Sequence, residues 1–224
     1  MNEDKVVTED KVVTEDKVVT EDNTYDYSKI SDFEKTQLPD GFTGNVYNLS
    51  YKWLNVFPEP NHPIRILEIG SYHGANACSL VKSYAKHPKS EIHCVDPWYD
   101  YEEYPEYKDK QPTNYSIFLK NISKLDPIDI NKFYIHRMLS SKIQVNDDFF
   151  DIVYIDGNHE MKYVIEDAMI SLKKVKPGGW IIFDDIQASE VKEGIEVFST
   201  LYINNLEEKF IIRGTQLFLQ RTCD

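Results

Sequence analysis

From residue 64 onward, short apolar runs that each stop at a glycine or an aspartate alternate with stretches of helical periodicity. This alternation constrains the fold more than any other feature of the chain. Residues 64–69 (IRILEI) form a buried-strand run, followed by a tight loop at 70–74 and a predicted helix at 75–86. A second strand at 91–95 ends at Asp96, and a helix is predicted over 113–125. Strands follow at 132–138, 149–155 and 180–183, with helices at 160–175 and 188–201 between and after them. The run Lys176-Pro177-Gly178-Gly179 reads as the stop of the helix before the fifth strand. Two closing strands, 209–213 and 216–220, flank Gly214-Thr215 as a hairpin turn. Strands alternating with helices predict an α/β fold with a doubly wound, Rossmann-like, mostly parallel sheet. In such sheets ligands bind beyond the carboxyl ends of the strands. The informative residues are therefore those at 70–74, 96–98, 139–141, 156–159 and 184–185.

The part before residue 64 is of other material. Residues 1–22 repeat EDKVVT, and their eight acids and three lysines supply five of the thirteen net negative charges. Each unit carries two adjacent valines, too little apolar surface to offset the entropy of ordering, so a disordered acidic tail is expected. A docking tail for a basic partner is the alternative. Pro39-Asp40-Gly41 signals a turn, and Val46, Leu49, Tyr51, Trp53, Leu54 and Phe57 predict an amphipathic helix over 45–57, ended by Pro58, Pro60 and Pro63. The expected organisation is a tail at 1–22, a helical extension at 23–62 and the sheet domain at 63–224.

Composition excludes several classes. A pI near 4.9 argues against a protein that coats nucleic acid, which needs clustered Lys and Arg. No apolar run suits a transmembrane helix, and the N-terminus has no apolar core of a secretory signal. Cys78, Cys94 and Cys223 lack metal or disulfide spacing, which fits a reducing, cytoplasmic setting.

Within the strand-end loops, Gly70 allows a tight turn and Gly74 a close approach of backbone to ligand or helix. The loop reads G-x-x-x-G with Tyr72 inside it, which weakens a nicotinamide-dinucleotide reading. Asp96, 28 residues after Glu68, can accept hydrogen bonds from ribose hydroxyls, and Trp98 beside it offers a stacking face. Asp156 follows the fourth strand, and Asp184 and Asp185 follow the fifth. On neighbouring strands these three carboxylates converge, which asks for a neutralising cation. Oxygen ligands without cysteine suit Mg²⁺, Ca²⁺ or Mn²⁺. His159 is placed to act as a general base near neutral pH. Taken singly, each of these residues also reads as a helix cap, a loop acid or a surface side chain.

The stretches ILEIGSYHG (66–74), VDPW (95–98), FDIVYIDGNH (150–159) and KPGGWIIFDD (176–185) resemble class I S-adenosylmethionine-dependent methyltransferases. The last two resemble the branch with macrocin-type sugar O-methyltransferases and cephalosporin hydroxylase-like proteins. The resemblance covers about residues 45–220. It implies a seven-stranded sheet with its last strand antiparallel. It also implies S-adenosylmethionine held by Glu68, Gly70, Ser71, Tyr72, Gly74, Asp96, Trp98 and Asp156, with adenine near Ser140 and Ser141. Mg²⁺ or another divalent cation would be held by Asp156, Asp184 and Asp185, with His159 or Asp156 taking the acceptor's proton. The expected acceptor is a hydroxyl of a small polar molecule, a sugar or a catechol; the tyrosine-rich loop (Tyr99, Tyr101, Tyr104, Tyr107) reads equally as a surface that stacks on sugar faces and as a solvated lid. A homo-oligomer is compatible with this reading; a nucleic-acid or membrane partner is disfavoured. RNA 2′-O-methylation and a non-catalytic cofactor-binding module are the alternative readings.

Overall fold

A computed structural model of the chain describes residues 30–99, 108–206 and 211–223. The repeat tail, most of the tyrosine-rich loop and the first two residues of the sixth predicted strand lie outside these residues. Seven strands form one sheet: β1 (Arg65–Ile69), β2 (Glu91–Val95), β3 (Phe133–His136), β4 (Phe150–Ile155), β5 (Val175–Phe183), β6 (Ile211–Arg213) and β7 (Gln216–Gln220). Their order across the sheet is β3-β2-β1-β4-β5-β7-β6. The first five pair in parallel, and β7 runs antiparallel to β5 and β6. The architecture is thus the expected doubly wound sheet with its last strand reversed.

Alternating side chains build two cores, one on each face. Ile66, Ile92, Cys94, Ile152, Tyr154 and Ile182 face α2 (Ala75–Ser83) and α3 (Gln111–Ile122). Leu67, Ile69, Val95, Val153, Ile155, Ile181 and Phe183 face α5 (Met161–Lys174) and α6 (Ser189–Leu201). Two short helices, α1 (Asp32–Thr36) and α4 (Pro127–Ile130), lie outside this frame. The residues before the sheet share the first core: Ile30, Leu38, Phe42, Val46, Leu49 and Trp53 are all buried in it.

Two expectations need correction. Residues 45–57 are not a helix; only a 3₁₀ turn forms, Ser50–Asn55. The backbone of this segment is spent on distant partners: Thr43 N–H donates to Asn121, Asn45 N–H to His73 and Ser50 N–H to Asn76. Helical spacing of Val46, Leu49 and Trp53 is real, but it serves an irregular strap that buries the same residues. The second correction concerns Lys176–Gly179. The helix ends at Lys174, and β5 starts at Val175, paired with Phe150; the register then shifts, and pairing resumes at Trp180 with Ile152. The Pro-Gly-Gly turn is a bulge inside a longer strand, which is where proline and glycine are tolerated in a sheet.

Among the described residues, no helix is long and apolar enough to cross a membrane.

Candidate active site

The strand ends carry the acids to one edge of the sheet. Gly70 N–H donates to Val95 O (2.9 Å), Asp96 N–H to His136 O (3.2 Å), Asp156 N–H to Ile69 O (2.9 Å) and Asp184 N–H to Ile155 O (2.9 Å). Each of these residues is the first one beyond its strand. Gly70 has φ +85°, and a β-carbon there would lie 1.9 Å from Asp156 O. The loops after β1 and β4 can approach this closely only without a side chain at residue 70. Three non-glycine residues with positive φ sit on the same edge: Tyr72 (45°), Trp98 (43°) and Asp185 (50°). Such backbone is costly and gathers where function imposes it.

A shallow open cleft lies at this edge. Glu68, Gly70, Ser71, Tyr72 and Asp156, all singled out from sequence, line it together. Glu68 is 1% exposed; its Oε1 accepts from Asn76 (3.1 Å), and burial raises its carboxyl to about 7. Ser71 Oγ is buried against the Glu68 carboxyl and the Cys94 thiol.

The remaining expected cofactor residues stand apart from the cleft wall. Gly74 caps α2 with φ +81°, and a β-carbon there would meet Phe118 at 2.9 Å, so its closest approach is to a helix. Asp96 accepts from the N–H groups of Tyr72 (3.0 Å) and Trp98 (2.8 Å); burial raises its carboxyl, and these bonds oppose the rise. It holds the two strained loops in place. Trp98 is no stacking face: it is 1% exposed, packed between Tyr115 and Phe118, with Nε1 donating to Tyr72 O. Ser140 Oγ donates to Asp167, whose carboxyl burial raises to about 7.

The acids expected to share a metal divide into two groups. Asp184 is 4% exposed and takes Asn48 Nδ2 (2.8 and 2.9 Å), Thr215 Oγ1 (3.1 Å), its neighbour's N–H (2.9 Å) and the Tyr154 hydroxyl. With this many donors it is an internal hub. The ligand atoms that gather are instead those of Asp156, His159 and Asp185, all within 4.8 Å of one another. His159 Nε2 lies 3.3 Å from Asp185 Oδ2. Burial raises the Asp156 carboxyl well above the usual range, and the charges of Asp184, Asp185 and Glu68 push the same way. Burial also acts on Asp185, but bonds from His159 and Gln187 outweigh it and leave that carboxyl below the usual range. Tyr154 OH spans Asp184 and Asp156 Oδ2 (3.2 Å). The two carboxylates are oxygen ligands of the kind that suit Mg²⁺ or Mn²⁺, whereas an imidazole as third ligand would shift the preference from Mg²⁺ towards a softer divalent ion.

Sequence reasoning assigned no role to Asn45, Tyr47, Asn48, His73, Asn76 or Tyr154, all of which line the cleft. His73 and Tyr154 stand inside the quoted motifs. The asparagines reach the cleft only through folding, and no spacing announces them.

A methyltransferase domain family matches residues 67–186. No curated protein matches the sequence. Among solved structures, a S-adenosylmethionine-dependent O-methyltransferase from Thermotoga maritima superposes with TM-score 0.56 at 14% identity, over 81% of this chain and 68% of that one. TomG, an O-methyltransferase of tomaymycin synthesis from Streptomyces achromogenes solved with its methyl donor, gives 0.51 at 16%, over 70% and 73%. TYW2 from P. horikoshii gives 0.50 at 12%, over 75% of this chain but 60% of that one, so the chain spans less than two thirds of that protein. At these identities the likeness is one of fold.

Proposed function

The chain belongs to this methyltransferase domain family, and on that premise we propose that it is a S-adenosylmethionine-dependent O-methyltransferase, assisted by a divalent ion, acting on a hydroxyl of a small polar acceptor. The observation that carries the reading is the meeting of two groups at one sheet edge. One is the cleft floor of Glu68, Gly70 and Ser71; the other is the Asp156, His159 and Asp185 cluster. A buried carboxylate with a hydroxyl beside it fits a ligand that carries both an ammonium and hydrogen-bonding groups. The methyl donors bound by TomG and named for the Thermotoga enzyme support the choice of donor.

S-adenosylmethionine supplies an electrophilic methyl group, and a divalent ion lowers the pKa of an acceptor hydroxyl and orients it. The chain's own residues do the rest. Asp156 and Asp185 would hold the cation, while Asp185 fixes the His159 ring so that Nε2 faces the cluster. With Nε2–H spent on Asp185, His159 would take the acceptor's proton on Nδ1. Asp96 holds the loops at Tyr72 and Trp98 together beside the cleft. A vicinal diol matches two-point binding at such a cation, which favours a sugar or a catechol over an isolated hydroxyl.

Calorimetry with S-adenosylmethionine should give saturable binding; none at millimolar ligand would end this reading. A methyl-transfer assay on a panel of sugars and catechols should lose at least tenfold of its rate in EDTA and regain it with Mg²⁺. Full turnover in chelator would remove the ion while leaving the donor in place.

A further inference from the structure

Residues 43–50 precede the family-matched region, yet they form one wall of the cleft. The strap is bolted across the carboxyl edge of the sheet at four points. Thr43 N–H donates to Asn121 Oδ1 (3.0 Å), and Asn121 Nδ2 returns to Thr43 O (2.7 Å). Asn45 N–H donates to His73 Nδ1 (3.1 Å), in the loop after β1. Asn48 Nδ2 donates to both oxygens of Asp184 and lies 2.8 Å from Thr215 Oγ1, tying the strap to the end of β5 and the β6–β7 turn. Ser50 N–H donates to Asn76 Oδ1 (2.8 Å), and Asn76 in turn donates to Glu68 on the cleft floor.

We propose that this strap is part of the methyl-donor site: Asn48 is a positioning residue that pins it to Asp184, so that Asn45 and Tyr47 close over the amino-acid end of a ligand resting on Glu68 and Ser71. The inference rests on the donor assignment made above and extends the site to residues outside the family match. Three observations carry it. Asn45, Tyr47 and Asn48 line the same cleft as Glu68 and Ser71. Asn45 Nδ2 donates to Tyr47 OH (2.9 Å), which joins the two side chains into one unit. Gly44, at φ +111°, has room for no β-carbon: one would stand 2.4 Å from His73 Nδ1. The strap therefore seats on the loop after β1 only with glycine at residue 44. An amino-acid head group needs a carboxylate for its ammonium and neutral donors for its own carboxylate. The floor provides the first; the side-chain amide of Asn45 and the Tyr47 hydroxyl to which it donates provide the second.

The test uses the full chain and S-adenosylhomocysteine as probe. Asn48→Leu releases the strap at Asp184, and Gly44→Val lifts it from His73, at opposite ends. Both variants should bind the probe at least tenfold more weakly, mainly through faster dissociation, while their thermal midpoints remain cooperative. In the wild type, hydrogen exchange at the amides of Asn45 and Ser50 should slow when the probe is added. A purely structural strap would lower the melting temperature and leave both the affinity of the folded fraction and the ligand dependence of exchange unmoved. Wild-type affinity within twofold in both variants, or exchange at 43–50 indifferent to the probe, overturns the inference. If the wild type fails to bind the probe, the donor assignment itself falls and this inference with it.

Discussion

Single residues set the geometry of the edge, and two comparisons show how. At residue 70, positive φ and the 1.9 Å approach of a β-carbon to Asp156 O act together. Gly70→Ala must therefore part the loops after β1 and β4, at more than the ~1–2 kcal/mol that left-handed backbone alone costs an L-residue. Urea denaturation should show that loss, together with loss of S-adenosylhomocysteine binding. Asp184 and Asp185 are adjacent but unlike. Asp184 is buried among donors, so Asp184→Asn turns an amide NH₂ toward groups that already donate; a stability loss of about 1.5–3 kcal/mol is expected from the charged hydrogen bonds involved. Asp185 is half-buried beside His159, so Asp185→Asn should retain stability and lose Mg²⁺-dependent turnover instead. Equal stability loss in both variants would remove the distinction. The sequence carried the acids but not this division of labour. Asp184 becomes a hub partly because Asn48, 136 positions earlier, and Thr215, 31 positions later, reach it. Glu68, next to last in β1, and Asp156, just past β4, were legible because they stand in recognisable strand-end motifs. Asn45 and Asn48 were not, because an asparagine in a polar segment has no periodicity to read.

At the scale of elements, the strands were the legible part. Runs such as ILEI and FDIVYI are apolar on both faces, as strands buried between two helical layers must be. The failures have local causes. Residues 45–57 carry helical spacing, but Leu54 is 44% exposed while Trp53 is fully buried, because the backbone bonds outward to the sheet edge instead of along itself. Lys176–Gly179 carries residues of low strand propensity, and β5 includes them by bulging. This bulge is tight. A β-carbon on Gly179 would lie 2.7 Å from Val175 Cγ2 and 2.8 Å from Asp151 O. Gly178 N–H and Gly179 O meanwhile pair with Arg221, just past β7. Gly179→Val should therefore loosen the β4–β5–β7 seam and lower the melting temperature by several degrees. Gly214→Ala, at a hairpin turn with nothing within 4 Å of a β-carbon, should cost only the backbone strain of its φ of +62°. A Gly179→Val midpoint no lower than that of Gly214→Ala would show that the seam tolerates the side chain.

For the whole molecule, the buried carboxyls make stability depend on pH in an unusual direction. Burial raises Glu68 from 4.5 to about 7, with the charge of Asp96 adding to it and bonds such as that from Asn76 opposing it. Burial likewise raises Asp167 from 3.8 to about 7, and the carboxyls of Asp96, Asp156 and Asp184 shift upward too. Between about pH 4.5 and 7 the folded protein keeps protons on Glu68 and Asp167 that the unfolded chain has already released. Their contribution is therefore complete below the unfolded values, declines as pH rises through this window and is gone above about 7. For Glu68 alone the gap corresponds to roughly 3 kcal/mol, a large share of the ~5–15 kcal/mol that holds a domain folded. Asp185 works the other way, since its lowered carboxyl contributes above its ordinary value and is lost on further acidification. The ligand-free protein should then melt at a higher temperature at pH 5.5 than at pH 7.5 in EDTA, and Glu68→Gln should shrink that difference. Mg²⁺ should raise the melting temperature more at pH 7.5 than at pH 5.5, because a cation at the site competes with the proton that burial holds on Asp156, while Asp185 is ionised throughout. A midpoint that climbs steadily from pH 5.5 to 7.5 in chelator would mean that Glu68 and Asp167 are ionised in the folded state, and the buried-acid account of stability would fall.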